Sequence, residues 1–439
     1  MAPFNTLLLL LLLIHLTTAA RAIGINYGTV ADNLPPPSTV AAFIRHHTTI
    51  DMVKIFDSNT DIIKAFAYTN ISLTITVPND GVLALAKPSA AAPWLAANVL
   101  RHLPATKIRR IVVGNEILST RNKTLIAHLL PAMKSIHSAL QSAGTTAGEI
   151  QVSTPHSLSK ISTSGAPSSG RFRHGYDRII FAPILEFHRQ TKSPFMICPY
   201  PYFGFTGKTL NYALFQPNGA VLDEGTNLNY SNMFDAQIDA VYSAMTRLGY
   251  GDVDIVVAET GWPSAGDSAL QPHATLQNAR SYNSNLLKHL NSGVGTPLMP
   301  NRTFETYIFS LFNENLKPNI QEQNFGLFRP DFRPVYDIGV LRSPQSGGRT
   351  APDASSAVSN GGDTEKTRCV PKSDEMNASS QQAGGGRDSD CDSGQTAAVA
   401  MSGDRSESVI LGASSLLFVV FLRQLLLILS MHLLDTLIA

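Results

Sequence analysis

Cysteine is scarce: the chain has three in 439 residues, Cys198, Cys369 and Cys391. Three thiols cannot staple a domain together, so a disulfide scaffold is excluded and the fold must rest on an apolar core. Neither sign of charge dominates, with 34 Lys and Arg against 33 Asp and Glu and a formal net charge of +1. A nucleic-acid partner would need a basic face interleaved with aromatics, and none stands out. H-E-x-x-H, C-x-x-C, G-x-S-x-G and G-x-G-x-x-G are all absent. Residues 207–209 read Gly-Lys-Thr, but a phosphate loop would need glycine at 202, where the chain has Tyr202. The twelve histidines show no ligand spacing. No metal and no organic cofactor is implied, and no internal repeat is found.

Long apolar runs are confined to the two ends. An unbroken leucine run, Leu7 to Leu13, is followed by small residues and by Ala20-Arg21-Ala22, which fits a signal-peptide cleavage site. A buried N-terminal helix is the competing reading. Residues 1–22 are therefore expected to direct secretion, in keeping with N-x-S/T sequons at Asn70, Asn122, Asn229, Asn301 and Asn377. At the other end, residues 409–439 are strongly apolar and follow a polar, small-residue stretch, 343–408. That order fits a glycosylphosphatidylinositol (GPI) signal, with Ser393, Gly394 and Ala397 as attachment points. A permanent membrane helix competes, but Arg423 would cost about 2.5–3.5 kcal/mol at a bilayer centre, and no basic cluster follows. The stretch 343–408 reads as a disordered stalk in which Cys369 and Cys391 could pair.

Between the ends, eight strand-like apolar runs alternate with longer mixed segments: 23–27, 52–56, 72–77, 108–113, 150–153, 195–200, 253–258 and 307–312. Helical patterns lie between them, at 93–102, 124–142 and 233–247 among others. Continuous apolar runs suit parallel strands buried on both faces. Eight such units over residues 23–342 suit a (β/α)8 TIM barrel, α/β in class. A doubly wound sheet would want the Gly-rich phosphate loop that is missing.

Glu116 follows the run Ile111-Val112-Val113-Gly114-Asn115, and Glu259 follows Ile255-Val256-Val257-Ala258. Carboxylates at the carboxyl ends of buried barrel strands point into the active-site mouth. On spacing alone, two ordinary loop carboxylates remain an equal reading. Aromatics gather near the strand ends: Tyr27, Phe56, Tyr200, Tyr202, Phe203, Trp262, Phe312, Phe325 and Phe328. Flat rings suit sugar faces, and paired carboxylates suit glycosidic cleavage. Phe312 and Phe328 read better as core. Trp262, just after Glu259, reads as a cleft residue.

These residues bring a family with them. Ile23-Gly24-Ile25-Asn26-Tyr27-Gly28, Val113-Gly114-Asn115-Glu116, Glu259-Thr260-Gly261-Trp262-Pro263-Ser264, Phe312-Asn313-Glu314-Asn315 with Lys317, and Glu322 with Asn324-Phe325-Gly326-Leu327-Phe328 occur in order. The chain thereby resembles the plant β-1,3-glucanases of glycoside hydrolase family 17, in their GPI-anchored form. The resemblance implies a (β/α)8 barrel, a long β-1,3-glucan cleft and a retaining mechanism. It implies Glu116 as general acid/base, Glu259 as nucleophile, and Glu314, Lys317 and Glu322 as a supporting cluster. Tyr27, Tyr200, Trp262 and Phe325 would line the cleft, and Asn115 would bond the sugar 2-hydroxyl. Glu116 should be protonated at the start, its pKa raised by burial and by the neighbouring carboxylate. A monomer at the outer face of the plasma membrane is expected.

The chain departs from the family's pattern in three places. Cys198 stands where the family usually has Asn, and Phe56 where it often has Tyr. The cysteine-rich glucan-binding module of many anchored relatives is absent or decayed, since two cysteines cannot build it. Two other functions share the scaffold: a transglycosylase that remodels glucan, and a non-catalytic glucan-binding wall protein.

Overall fold

The computed structural model describes residues 23–144, 149–163 and 165–342. Strands β1 (Ile23–Tyr27), β2 (Met52–Ile55) and β3 (Ser72–Val77) are buried at every position. β4 (Ile108–Val113), β5 (Gln151–Ser153), β6 (Pro155–Ser157), β7 (Phe195–Cys198), β8 (Ile255–Thr260) and β9 (Thr306–Ile308) complete one sheet. Its order is β5-β4-β3-β2-β1-β9-β8-β7-β6, and every pairing in it is parallel. The two edge strands, β5 and β6, are one stretch of chain parted at Thr154. Sequence continuity thus joins the sheet's edges, and the sheet closes into a barrel of eight strand positions. The fold class expected from the sequence is the one found.

Local differences from the sequence expectation have simple causes. The sixth run stops at Cys198 because Pro199 and Pro201 cannot donate to a ladder. The seventh runs on to Thr260, so Glu259 lies within β8 rather than after it. The helix expected over 93–102 starts earlier, at Pro88, where proline sits at a first-turn position; it ends at Asn98.

Helices Pro37–His47, Lys123–Ser142, Met233–Arg247 and Leu276–Ser292 are amphipathic. They lay Ile44, Met133, Ile136, Ile238, Val241 and Leu286 into the layer between helices and sheet. Three start on side-chain caps: Asn122 accepts from Leu125 N–H, Asn232 from Asp235 N–H and Thr275 from Asn278 N–H.

A second apolar cluster fills the barrel itself: Met52, Val112, Met196, Cys198, Val256, Ala258 and Tyr307. Toward the strands' amino ends, Glu305 takes Arg110 Nη1 at 2.7 Å, and the Tyr307 hydroxyl donates to Glu305 at 2.9 Å. The interior is packed rather than open, so chemistry is restricted to the rim. Among the described residues, no helix is long and apolar enough to cross a membrane. The leader 1–22, the stalk with Cys369 and Cys391, and the tail 409–439 lie outside the described residues.

Candidate active site

Glu116 follows β4 on a backbone that few residues adopt. Its φ is +49°, and Gly114, two residues earlier, has φ +68°. The positive φ at Gly114 favours glycine, and a Cβ there would also crowd the Ile117 side chain at 2.2 Å. Asn79 holds this turn from the neighbouring loop: its Oδ1 accepts Asn115 N–H at 2.7 Å, and its Nδ2 donates to Asn115 O at 3.1 Å. Glu116 N–H reaches the Pro155 carbonyl at 3.2 Å. A left-handed non-glycine residue fixed from both sides is the kind of strain that collects at functional sites.

Glu259 is placed by β8. Its Oε1 receives Lys54 Nζ at 3.1 Å, and its Oε2 receives the Tyr200 hydroxyl at 3.2 Å. Lys54 is wholly buried and also donates to Asn26 Oδ1 at 3.2 Å, while Asn26 Nδ2 donates to Ala258 O at 3.2 Å. The Lys54 ammonium lies 3.7 Å from the centre of the Phe56 ring, so the phenyl ring takes the cation on its face. Lys54 and Asn26 were not singled out from the sequence. The signal was available: a lysine inside the apolar run Met52-Val53-Lys54-Ile55 needs a buried anion.

The two glutamates differ electrostatically. Burial, and then the charge of Glu259, push the Glu116 carboxyl up to about 7. The neighbouring Cys198 thiol and the Lys54 charge pull it partly back. Burial and the Glu259 charge hold the Tyr200 phenol well above its ordinary value, so it remains a neutral donor. One carboxyl poised to hold a proton near neutrality and another paired with a cation form an acid–nucleophile set.

Glu314 and Glu322 complete the acidic floor. Burial raises both carboxyls, and Lys317 opposes the rise in each. Glu314 accepts Val30 N–H at 2.7 Å and lies so close to Gly28 that a Cβ there would sit 2.1 Å from its Oε1. It therefore pins the β1 loop from beneath. The Lys317 ammonium stands 5.3 Å from the Phe309 ring centre. Asn115 Oδ1 is buried without a partner among the described residues.

Three aromatic assignments are corrected. Trp262 is 0% exposed, packs against Tyr202, Phe205 and Tyr282, and donates Nε1–H to His273 O at 2.8 Å. It has no face open to sugar and belongs to the core under the cleft. Tyr27 and Phe325 are each 2% exposed. Tyr27 packs edge-on against Phe312, and Phe325 against Tyr200 and Phe309. They shape the wall from behind. The half-exposed ring beside Tyr200 is Phe203, at 5.5 Å between centroids. Among the described residues, no group of three or more His, Cys, Asp or Glu side chains is set to hold a metal ion.

Residues 23–340 match the family model "Glycosyl hydrolases family 17". A glucan endo-1,3-beta-glucosidase of Triticum aestivum is 51% identical over 335 residues, covering 75% of this chain and 72% of that protein. Glucan endo-1,3-beta-glucosidase 7 of Arabidopsis thaliana is 45% identical over 372 residues, covering 83% and 71%. The structure of CJP38, a β-1,3-glucanase and allergen of Cryptomeria japonica pollen, superposes with a TM-score of 0.68 at 42% identity, over 72% of this chain and 98% of that one. Family match, close relatives and a shared barrel agree with the paired glutamates at the strand ends: the chain is a glycoside hydrolase and belongs to glycosyl hydrolases family 17.

Proposed function

We propose that the protein hydrolyses internal β-1,3 linkages of glucan by double displacement with retention of configuration. The unequal environments of Glu116 and Glu259 carry this reading. Glu259 attacks the anomeric carbon while Glu116 gives its proton to the departing glycosidic oxygen, and an ester to Glu259 forms. Glu116, now ionised, takes a proton from water. That water attacks the same carbon and releases Glu259. Lys54 and Tyr200 fix the Glu259 carboxylate, each holding one oxygen, and so orient it for attack. Release of reducing ends from laminarin tests the activity, and an inert protein would overturn it. Products that keep the β configuration, followed by proton NMR, test the stereochemistry.

The leader, stalk and tail further support secretion to the cell surface and a GPI anchor at the plasma membrane, where β-1,3-glucan of the wall is in reach. Phosphatidylinositol-specific phospholipase C should release it from membranes. Full retention in the membrane fraction would favour a transmembrane helix instead.

A further inference from the structure

Tyr68 has no explanation in the fold. It is 81% exposed, and its ring has no partner among the described residues. Its backbone is left-handed, φ +58°, a region that bulky side chains avoid. Glycine or asparagine would serve the turn better. What the turn does carry is the sequon Asn70-Ile71-Ser72, two residues on. Asn70 is exposed, its side chain likewise lacks a partner, and its φ is +63°. The turn is held at both ends: Tyr68 N–H donates to Ala105 O at 2.7 Å and Thr69 Oγ1 to Phe66 O at 2.7 Å. Residues two apart in a turn lie within about 7 Å at their Cα atoms, well within the reach of a first sugar. The other sequons differ: Thr120, Asn227, Met299 and Glu375 occupy the corresponding position before Asn122, Asn229, Asn301 and Asn377.

We propose that Asn70 carries an N-linked glycan whose first N-acetylglucosamine lies on the ring of Tyr68. Sugar C–H faces pack on aromatic rings, and the exposed phenol ring supplies such a face. In the coupling step the Asn70 Nδ2 attacks the anomeric carbon of a lipid-pyrophosphate-linked oligosaccharide. The N–C bond forms, the C–O bond breaks, the pyrophosphate leaves with the electron pair and the nitrogen loses one proton. The site precedes β3, at the amino end of the barrel strands. The glycan therefore stands on the face opposite Glu116 and Glu259 and leaves the cleft open. The proposal rests on passage through the secretory pathway and not on glucan hydrolysis.

The test uses the full chain from a secreting yeast host, solubilised in detergent. Peptide mass mapping should show Asn70 occupied. Tyr68→Ala should lower the Tm of the glycosylated protein by about 2 °C, and by the same amount after an endoglycosidase has trimmed each glycan to one N-acetylglucosamine. After peptide:N-glycosidase, which leaves Asp at position 70, Tyr68→Ala should have no effect. An equal effect in all three forms overturns the stacking. An unoccupied Asn70 beside occupied sequons elsewhere overturns the site alone, and a chain with no glycan overturns it together with the secretory reading.

Discussion

Lys54 Nζ stands 3.1 Å from Oε1 of Glu259, and the lysine is wholly shut away from water. Neither group could be buried there alone. Removing one partner of such a pair typically costs about 3–5 kcal/mol, because the other is left unpaired. Lys54→Met is therefore expected to lower the Tm and to reduce kcat about 10²-fold or more, since the attacking carboxylate loses its anchor. Lys54→Arg keeps the charge and should retain part of the activity. A Lys54→Met enzyme with full turnover on laminarin would show that the pair is structural only.

The pH profile follows from Glu116. Its carboxyl is raised to about 7 from an ordinary 4.5, so it is protonated below that pH and ionised above it. The acid role needs the proton, so kcat/KM should fall as pH rises through about 7. Glu116→Gln should remove this alkaline limb, with a loss of about 10²–10⁴-fold on unactivated glucan. Substrates with good leaving groups should lose less.

The Cys198 thiol neighbours Glu116 and pulls its carboxyl down. Cys198→Ala removes that influence, so the alkaline limb should move to higher pH. A purely packing role would leave the limb where it is. Cys198→Asn offers an amide donor and should leave turnover unchanged or raise it, by up to about tenfold for a hydrogen bond of about 0.5–1.5 kcal/mol. A large loss in Cys198→Asn would show that the pocket is fitted to sulfur.

Trp262 and Phe203 should separate core from cleft. Trp262→Ala opens a large hole in the packing and should cost about 3–5 kcal/mol of stability. Phe203→Ala sits at an exposed ring, and should raise KM for long glucans with little change in Tm. The reverse pattern, read by calorimetry and kinetics side by side, would restore Trp262 to the sugar-binding surface.

The barrel was legible because its strands are continuous apolar runs. The proposed catalytic pair was only half legible: strand-end position left ordinary loop carboxylates an equal reading, and it was the family resemblance that singled out Glu116 and Glu259. Three things were not legible, each for a physical reason. The direction of Trp262 was misread because nearness in sequence to Glu259 does not fix which way a ring turns after the strand ends. Lys54 was passed over because a single charge in an apolar run shows its meaning only when the partner, 205 residues away, is located. The parting of β5 from β6 at Thr154 escaped notice because three-residue strands carry no measurable period.

The ring of strands also orders events in time. β1 pairs with β9, Gly24 opposite Tyr307, and Val30 N–H meets Glu314 across 284 residues. A chain still emerging from the ribosome has its first strand long before its last. Until β8 arrives, Lys54 has Asn26 on β1 but lacks its Glu259 carboxylate, so burying the ammonium at that stage is costly. The pairing of β1 with β9 needs nearly the whole barrel to be synthesised. The Lys54–Glu259 pair therefore cannot form before β8 is made, and a chain truncated before Glu259 lacks the proposed nucleophile however much of its sheet has formed.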